Sequence, residues 1–358
     1  GVPQENQINR PTEVGEIYAV PQTTIYRFEE QQRKRTNAQL VLQYQPTESI
    51  TGTFDYTYIN QEVATQFNDV SAWFTFAPSE NVWTDGPNSS PLLYSETYGS
   101  PQDLSMGAGS SATKAETDSI GLNLKWEVND NLTLTLDHHS STAESSPDSP
   151  HGSSNGLSMA AFIRTSAATD FTGDLPVLAV GGSSNLKPSD MRVTGSTFTN
   201  DRSKAEIDQT QLQGSYFLGD SGSIDFGLSL TESTNHSQNI TVQRNDWGGV
   251  GEAGDFDDSF FPERSVHGQF DDVSGGNFSD FDGDFEIVDT IYFWDFNAVR
   301  DRAEQLYTPD SFADNTIIGD CGTLFCPSTQ YDAATDQFTK EKMTAVYLQY
   351  NYDGEFGD

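Results

Sequence analysis

Ala38-Gln39-Leu40-Val41-Leu42-Gln43-Tyr44-Gln45-Pro46-Thr47-Glu48-Ser49-Ile50-Thr51-Gly52-Thr53-Phe54-Asp55-Tyr56-Thr57-Tyr58 reads as two runs of two-residue alternation around a tight turn. That is the pattern of a β-hairpin. Ala38, Leu40, Leu42, Tyr44, Ile50, Phe54, Tyr56 and Tyr58 share one face, and Gln39, Gln43, Gln45, Thr51, Thr53, Asp55 and Thr57 share the other. The apolar face must lie against something, either a protein core or lipid.

The same pattern recurs along the chain. Ile120, Leu122, Leu124, Trp126 and Val128 alternate with polar residues, turn at Asn129-Asp130-Asn131, and return as Leu132, Leu134 and Leu136. A third hairpin carries Leu212, Gly214, Tyr216 and Leu218, turns at Gly219-Asp220-Ser221-Gly222, and returns through Ile224, Phe226, Leu228 and Leu230. Val346, Leu348, Tyr350 and Tyr352 mark a further strand, about seven in all. Val41, Ile59, Phe217 and Tyr347 fall on the polar face and break the alternation. In the last linker Phe296, Val299, Ala303 and Leu306 share one helical face, predicting a helix over 294–306.

The connections choose between core and lipid. Each strand pair is closed by a few turn residues, whereas successive pairs are joined by stretches of roughly 50–100 residues, at 64–114, 139–204 and 232–340. Loops of that length are uncommon inside compact soluble domains. Short turns on one side and long loops on the other characterise outer-membrane barrels, whose tilted strands cross the bilayer in about 9–11 residues. The expected fold is therefore all-β, part of an antiparallel transmembrane β-barrel with short periplasmic turns and long extracellular loops.

Composition agrees with strands and turns: 34% hydrophobic, 12% aromatic, 30 Gly and 15 Pro. No run approaches the roughly 20 apolar residues of a membrane helix. A net charge of −36, with Arg33-Lys34-Arg35 the one dense basic cluster, argues against nucleic acid as a partner. Cys321 and Cys326, the chain's two cysteines, have no nearby His and predict a local disulfide in an oxidising compartment rather than a metal site. The chain opens Gly1-Val2-Pro3-Gln4-Glu5 and stops at Gly354-Glu355-Phe356-Gly357-Asp358, where a new strand is due; the expectation is an internal fragment of a longer protein.

The hairpin running from Arg33-Lys34-Arg35-Thr36-Asn37 to Tyr58 resembles the barrel of TonB-dependent outer-membrane receptors, in the subgroup abundant in Xanthomonas- and Caulobacter-type proteobacteria. Met191-Arg192-Val193-Thr194-Gly195-Ser196 leading into 206–212, and Tyr292-Phe293-Trp294-Asp295-Phe296-Asn297-Ala298-Val299-Arg300, resemble the same group. The resemblance covers most of the chain, on diffuse motifs. It implies residence in the bacterial outer membrane, in contact with its lipid, and a barrel of about 22 strands around a plug. It also implies uptake of a scarce extracellular ligand, an oligosaccharide or a siderophore-type molecule, powered by the TonB complex. The plug, the TonB-contacting segment and the first and last barrel strands have no counterpart in these 358 residues, so gating and energy coupling are expected of a missing N-terminal part.

Catalysis is not expected. Gly152-Ser153-Ser154-Asn155-Gly156 matches G-x-S-x-G without the strand-to-helix elbow that chemistry needs, and Gly249-Val250-Gly251-Glu252-Ala253-Gly254 matches G-x-G-x-x-G with carboxylates after it that repel a pyrophosphate. His138, His139, His151, His236 and His267 lack zinc-ligand spacing. No cofactor is expected beyond Ca²⁺, for which Asp280, Asp282, Asp284 and Glu286 offer hard oxygen ligands, a solvated acidic loop being the alternative. Trp73, Trp83, Tyr94, Trp247 and Trp294 are the candidate ligand-binding residues, because sugar rings stack on aromatic faces; packing among the loops is the competing role. The alternative to a receptor is a secreted or surface β-rich adhesin with acidic, calcium-binding loops. Its apolar faces would be buried between two sheets about 10 Å apart. A passive porin is a third reading.

Overall fold

The computed structural model describes residues 17–77, 80–173, 175–219, 222–250, 252–274, 286–307 and 317–352, with the side chains of 245–250 and 271–274 left outside that description. Nine principal strands are β1 (Thr23–Thr47), β2 (Ile50–Trp73), β3 (Pro91–Asn129), β4 (Leu132–Pro147), β5 (Ser154–Asp170), β6 (Val177–Gly181), β7 (Arg192–Phe217), β8 (Gly222–Val250) and β9 (Asp336–Tyr352). The sheet order is β1-β2-β3-β4-β7-β8-β9, every neighbour antiparallel. The all-β architecture and the predicted hairpins are therefore present, as an open sheet.

The turns explain themselves locally. Glu48 and Ser49 join β1 to β2 beside a bulge between Tyr44 and Thr47 that accommodates Pro46, which has no N–H for the ladder. Between β3 and β4 the Asn129 side chain accepts from the N–H groups of Asn131 and Leu132, an Asx turn. Phe226 lies over Gly214, its direct cross-strand partner, and Tyr347 covers Gly227 in the same way. An added Cβ at either glycine would stand 2.3 Å from the ring. Tyr347, an exception to the alternation, is thus a ring laid over a bare backbone patch.

The stretches 64–114, 139–204 and 232–340, expected as loops, contain long continuations of the strands. β1 is 25 residues and β3 is 39. At about 3.3 Å per residue, β1 alone runs about 80 Å. These extensions read as loops because Ser, Thr, Gly and Asn replace the apolar stripe, while the hydrogen-bond ladder continues. β4 and β5 share one lane between β3 and β7: β4 pairs below, β5 above, and the chain leaves the sheet only between them, at 148–153. Gly152 in that excursion has φ +88°, and an added Cβ would meet the Thr199 carbonyl at 2.3 Å, so the detour needs glycine.

β6 pairs antiparallel with the upper end of β5, and the upper sheet carries a cover made of helix α1 (Val266–Ser274), the short strands Glu263–Ser265 and Thr290–Tyr292, helix α2 (Phe296–Leu306) and the segment 317–335. The predicted helix is present, opened by Asp295, whose side chain accepts from Ala298 N–H, with Val299 and Ala303 buried. A disulfide joins Cys321 and Cys326, as expected. Buried residues of the sheet (Val70, Met106, Met159, Phe198, Val242) and of the cover (Phe261, Tyr292, Val299, Phe325) form one core.

Candidate functional site

The pairing registers assign every strand residue to one of two faces. One register row runs Tyr44–Gly52–Leu124–Leu136–Leu212–Leu228–Val346 across all seven strands. Its side chains and those of adjacent same-face rows make a continuous apolar band, here called the outward face. Leu40 and Leu122 are each 48% exposed, and Val346 is 78% exposed. No second sheet covers the band among the described residues.

The band is oblique to the hydrogen bonds. On β1 its upper edge is Ala38, and the row through Ala38 reads Tyr58, Asp118, Thr142, Glu206, Thr234 and Lys340. On β9 the band begins at Val346, six residues below Lys340. Six residues of about 3.3 Å over six strand spacings of about 4.8 Å correspond to a tilt of about 35°.

Above the band the same face is charged. Lys34 pairs with Glu62, Lys114 with Glu116, Lys204 with Glu206, and Lys340 and Lys342 with Glu232. At the boundary Tyr56 and Tyr58 donate their hydroxyls to Asp118 (2.6 Å) and Glu116 (3.2 Å). On the inward face at that height the row Asn37–Ile59–Thr117–Ala143–Ala205–Asn235–Thr339 is uncharged, with Arg35 and Glu341 in the rows on either side of it.

Higher still, the cover docks on the outward face. Tyr292 N–H donates to Met106 Sδ at 3.3 Å. Asn68, Ser196 and Asn200 donate to the carbonyls of Trp294, Leu324 and Ser328 at 3.2, 2.9 and 3.0 Å. Tyr26, on the same face, donates its hydroxyl to the Pro176 carbonyl and accepts from Leu178 N–H. Burial pushes its pKa up to about 12.

The inward face holds a polar cavity of about 230 Å³ at the level of the cover. Its floor follows two rows, Arg27–Asp69–Gly107–Ser158–Gly195 and Phe67–Gly109–Gly156–Thr197–Gln243. Arg27 donates Nε and Nη2 to one oxygen of Asp69 (3.1 and 2.9 Å), while its guanidinium lies 4.3 Å over the Phe67 ring. Asp69 and Phe67 occupy the space that side chains at Gly107 and Gly109 would fill. Sequence reading missed this groove, because its residues come from six strands and share no motif.

The five candidate aromatics separate. Trp83, Tyr94 and Trp294 are 1%, 3% and 3% exposed. Trp83 meets Tyr18 and Tyr94 edge-on, Tyr94 meets Phe74 and bonds Glu96, and Trp294 lies in the core beneath the cover. In this conformation their rings face protein. Trp73 is 44% exposed on the inward side of β2, and its carbonyl accepts from Arg164 and Tyr98. The side chain of Trp247 lies outside the described residues, as do Asp280, Asp282 and Asp284. Glu286 accepts from the Ser183 hydroxyl and the Ser184 N–H, bonds that hold its carboxyl below the usual range. No group of three or more potential metal ligands exists among the described residues. In the G-x-S-x-G match Ser154 opens a strand rather than an elbow, and Ser153 bonds Thr199 and Asp201.

No family model, curated protein or solved structure matches the chain. Among the described residues no helix is long and apolar enough to cross a membrane, which says nothing of strands.

Proposed function

We propose that this chain is a section of wall from an outer-membrane β-barrel receptor of the TonB-dependent kind, which takes up a scarce polar ligand. The observation that carries this reading is the oblique band. A closed transmembrane barrel tilts its strands by about 35–45°, so a horizontal lipid layer must cut obliquely across the hydrogen-bond rows. The tilt of about 35° from the band's edge matches that demand. The tyrosines at its upper border suit an interfacial girdle, apolar ring below and hydroxyl above. In this reading the free edges of β1 and β9 meet further strands of the same barrel, since long unpaired edges invite pairing.

The cover then lies outside the wall, above the lipid, and leaves the inward face open. Ligand contact falls to the groove of Arg27, Phe67, Ser158, Thr197 and Gln243, with Trp73 above it, rather than to the buried aromatics. No bond is made or broken in this role. The adhesin reading loses its main support, a second sheet over Leu40, Leu122 and Leu228.

The test is depth in lipid. In nanodiscs containing brominated phosphatidylcholine, a single-tryptophan variant retaining Trp126 should be strongly quenched, and one retaining Trp294 should not. A soluble, detergent-free monomer whose Trp126 is not quenched would sink the reading. Uptake itself is checked by accumulation of labelled oligosaccharides and siderophores in cells expressing the full-length protein, with and without an energised TonB complex.

A further inference from the structure

The turn that follows β2 is gripped by two buried ionisable side chains. Trp73 and Phe76 stand 44% and 49% exposed there, while Phe74 between them is buried against Tyr94. Arg164 on β5 is fully buried. It donates Nη1 to the Trp73 carbonyl (2.7 Å) and the Tyr98 hydroxyl (2.8 Å), and Nε to the Asp103 carbonyl (2.8 Å). Glu96 on β3 is 1% exposed. Its carboxylate accepts from the N–H groups of Thr75 (2.7 Å) and Phe76 (2.8 Å) and from the Tyr94 hydroxyl (3.0 Å). A charged side chain taken out of water needs hydrogen bonds in exchange, and both of these hold the stretch 73–76 with theirs. Phe76 has φ +59°, the one positive φ outside glycine among the described residues. We infer that Trp73 and Phe76 form a stacking rim for a flat ring face of the captured ligand, with Glu96 and Arg164 as its positioning residues; this rests on the ligand-capture reading above.

Stability alone does not account for Phe76. In the left-handed region a Cβ crowds the following carbonyl oxygen, a strain that glycine avoids and asparagine tolerates. A core can repay such strain when the ring fills space, but this ring is half exposed. Neither the backbone nor the side chain of Phe76 therefore serves the fold. Residues held in sparsely populated conformations by surroundings that over-determine them cluster at ligand clamps. Three residues of chain span at most about 10 Å, so two linked rings reach both side chains. The groove lies below: Asp69 and Phe67 stand on the same face of β2 as Trp73, roughly 13–20 Å further down the strand. The rim takes a ring face and the groove takes polar substituents. An aromatic ring and the C–H face of a pyranose both present that flat apolar surface.

The experiment titrates the full-length protein, in detergent, with two series of neutral probes, β-linked glucose oligomers and catechol amides, and follows binding by calorimetry. Binding of the oligomers assigns a pyranose face, and binding of the amides an aromatic one. Phe76→Gly and Phe76→Asn should weaken that binding at least about tenfold, the loss of one good ring contact. The melting temperature should stay level or rise, because both residues accept the backbone. Binding of neither series, binding unchanged in both variants, or a loss that comes with a lowered melting temperature overturns the inference. Glu96→Gln should weaken binding in the wild type and add nothing in the Phe76→Gly background, the coupling of a residue that acts through Phe76. Equal effects in the two backgrounds overturn its positioning role. If cells accumulate ligand normally with Phe76→Gly, the rim fails and the receptor reading stands. If Trp126 is unquenched by brominated lipid while the Phe76 variants lose binding, the membrane reading fails and the rim stands.

Discussion

The outward face uses one alternating register from end to end, yet its two halves end differently. In the lower half Leu124, Leu212 and Val346 stand 44%, 42% and 78% exposed; in the upper half Met106, Met159 and Phe198 are fully enclosed. Apolar side chains alone do not decide this, because both halves have them. The upper half adds polar hooks among its apolar positions. Asn68, Ser196 and Asn200 each hold a carbonyl of the cover. The lower band is mostly Leu, Phe, Val and Ile, and the Tyr56 and Tyr58 hydroxyls at its border bond to carboxylates of the sheet itself. Apolar rows with hooks receive protein; in the proposed reading, apolar rows without hooks are left for lipid, which offers no hydrogen bonds.

The largest effect should come from the enclosed half. Phe198 is wholly buried beside His151 and Phe296. Phe198→Ala should cost about 3–5 kcal/mol. Amide exchange in α2 and the denaturation midpoint should both report it, with the amides of the 38–58 hairpin unaffected. If exchange rises equally in both halves, they are one cooperative unit and the contrast drawn here fails.

Leu124→Arg breaks the comparison from the other side. On a surface facing water this change is worth no more than about 0.5 kcal/mol in either direction. In lipid near the bilayer midplane it costs about 2–4 kcal/mol. Refolding titrations in phosphatidylcholine vesicles separate the two outcomes. A neutral result in vesicles would mean that the band never meets hydrocarbon.

The hooks come next. Asn200→Ala leaves the Ser328 carbonyl buried without this donor, a cost of about 1–3 kcal/mol. The expected signature is earlier proteolytic cleavage within 317–335 at unchanged stability of the lower sheet. Cleavage unchanged from wild type would show that the hook is incidental to docking.

How much of this was legible in the sequence follows the same division. Leu122, Leu134 and Leu228 announce strands because one face is oily and the other wet, and the three tight turns carry their own chemistry in Glu48-Ser49, Asn129 and Gly219. The α2 helix was readable from Phe296, Val299, Ala303 and Leu306. The upper strands were not, because stretches such as Ser105–Ser111 alternate methionine and alanine with glycine and serine, a weak signal that reads as linker. The choice between packing and binding for Trp83, Tyr94 and Trp294 was open as well. It depended on the cover, whose contacts with β2, β3 and β7 span up to 226 residues of chain. The inward groove left no local trace, since Arg27, Gly107, Ser158 and Gly195 become neighbours only through pairing.

The smallest effect expected is one of pH, and it too should touch one half only. His151 sits in the excursion between β4 and β5, 5.6 Å from the Phe296 ring and 6.5 Å from Phe198. Burial lowers its pKa below the ordinary 6.5, and the Arg300 charge lowers it further, while Asn297, Asp301 and Glu304 oppose the shift. The unfolded chain therefore takes up this proton more readily than the folded one, so stability falls wherever the unfolded state gains it. The contribution is complete above about pH 6.5 and is lost as the pH falls from there through the folded value. Amide exchange of α2, corrected for its intrinsic rate, should accelerate between pH 7.5 and pH 5 in the wild type. In His151→Asn that acceleration should shrink. The amides of the 38–58 hairpin, which contains no histidine, serve as the internal control. An α2 that loosens equally in wild type and variant would assign the acid response to the carboxylates of the cover and remove His151 from the account.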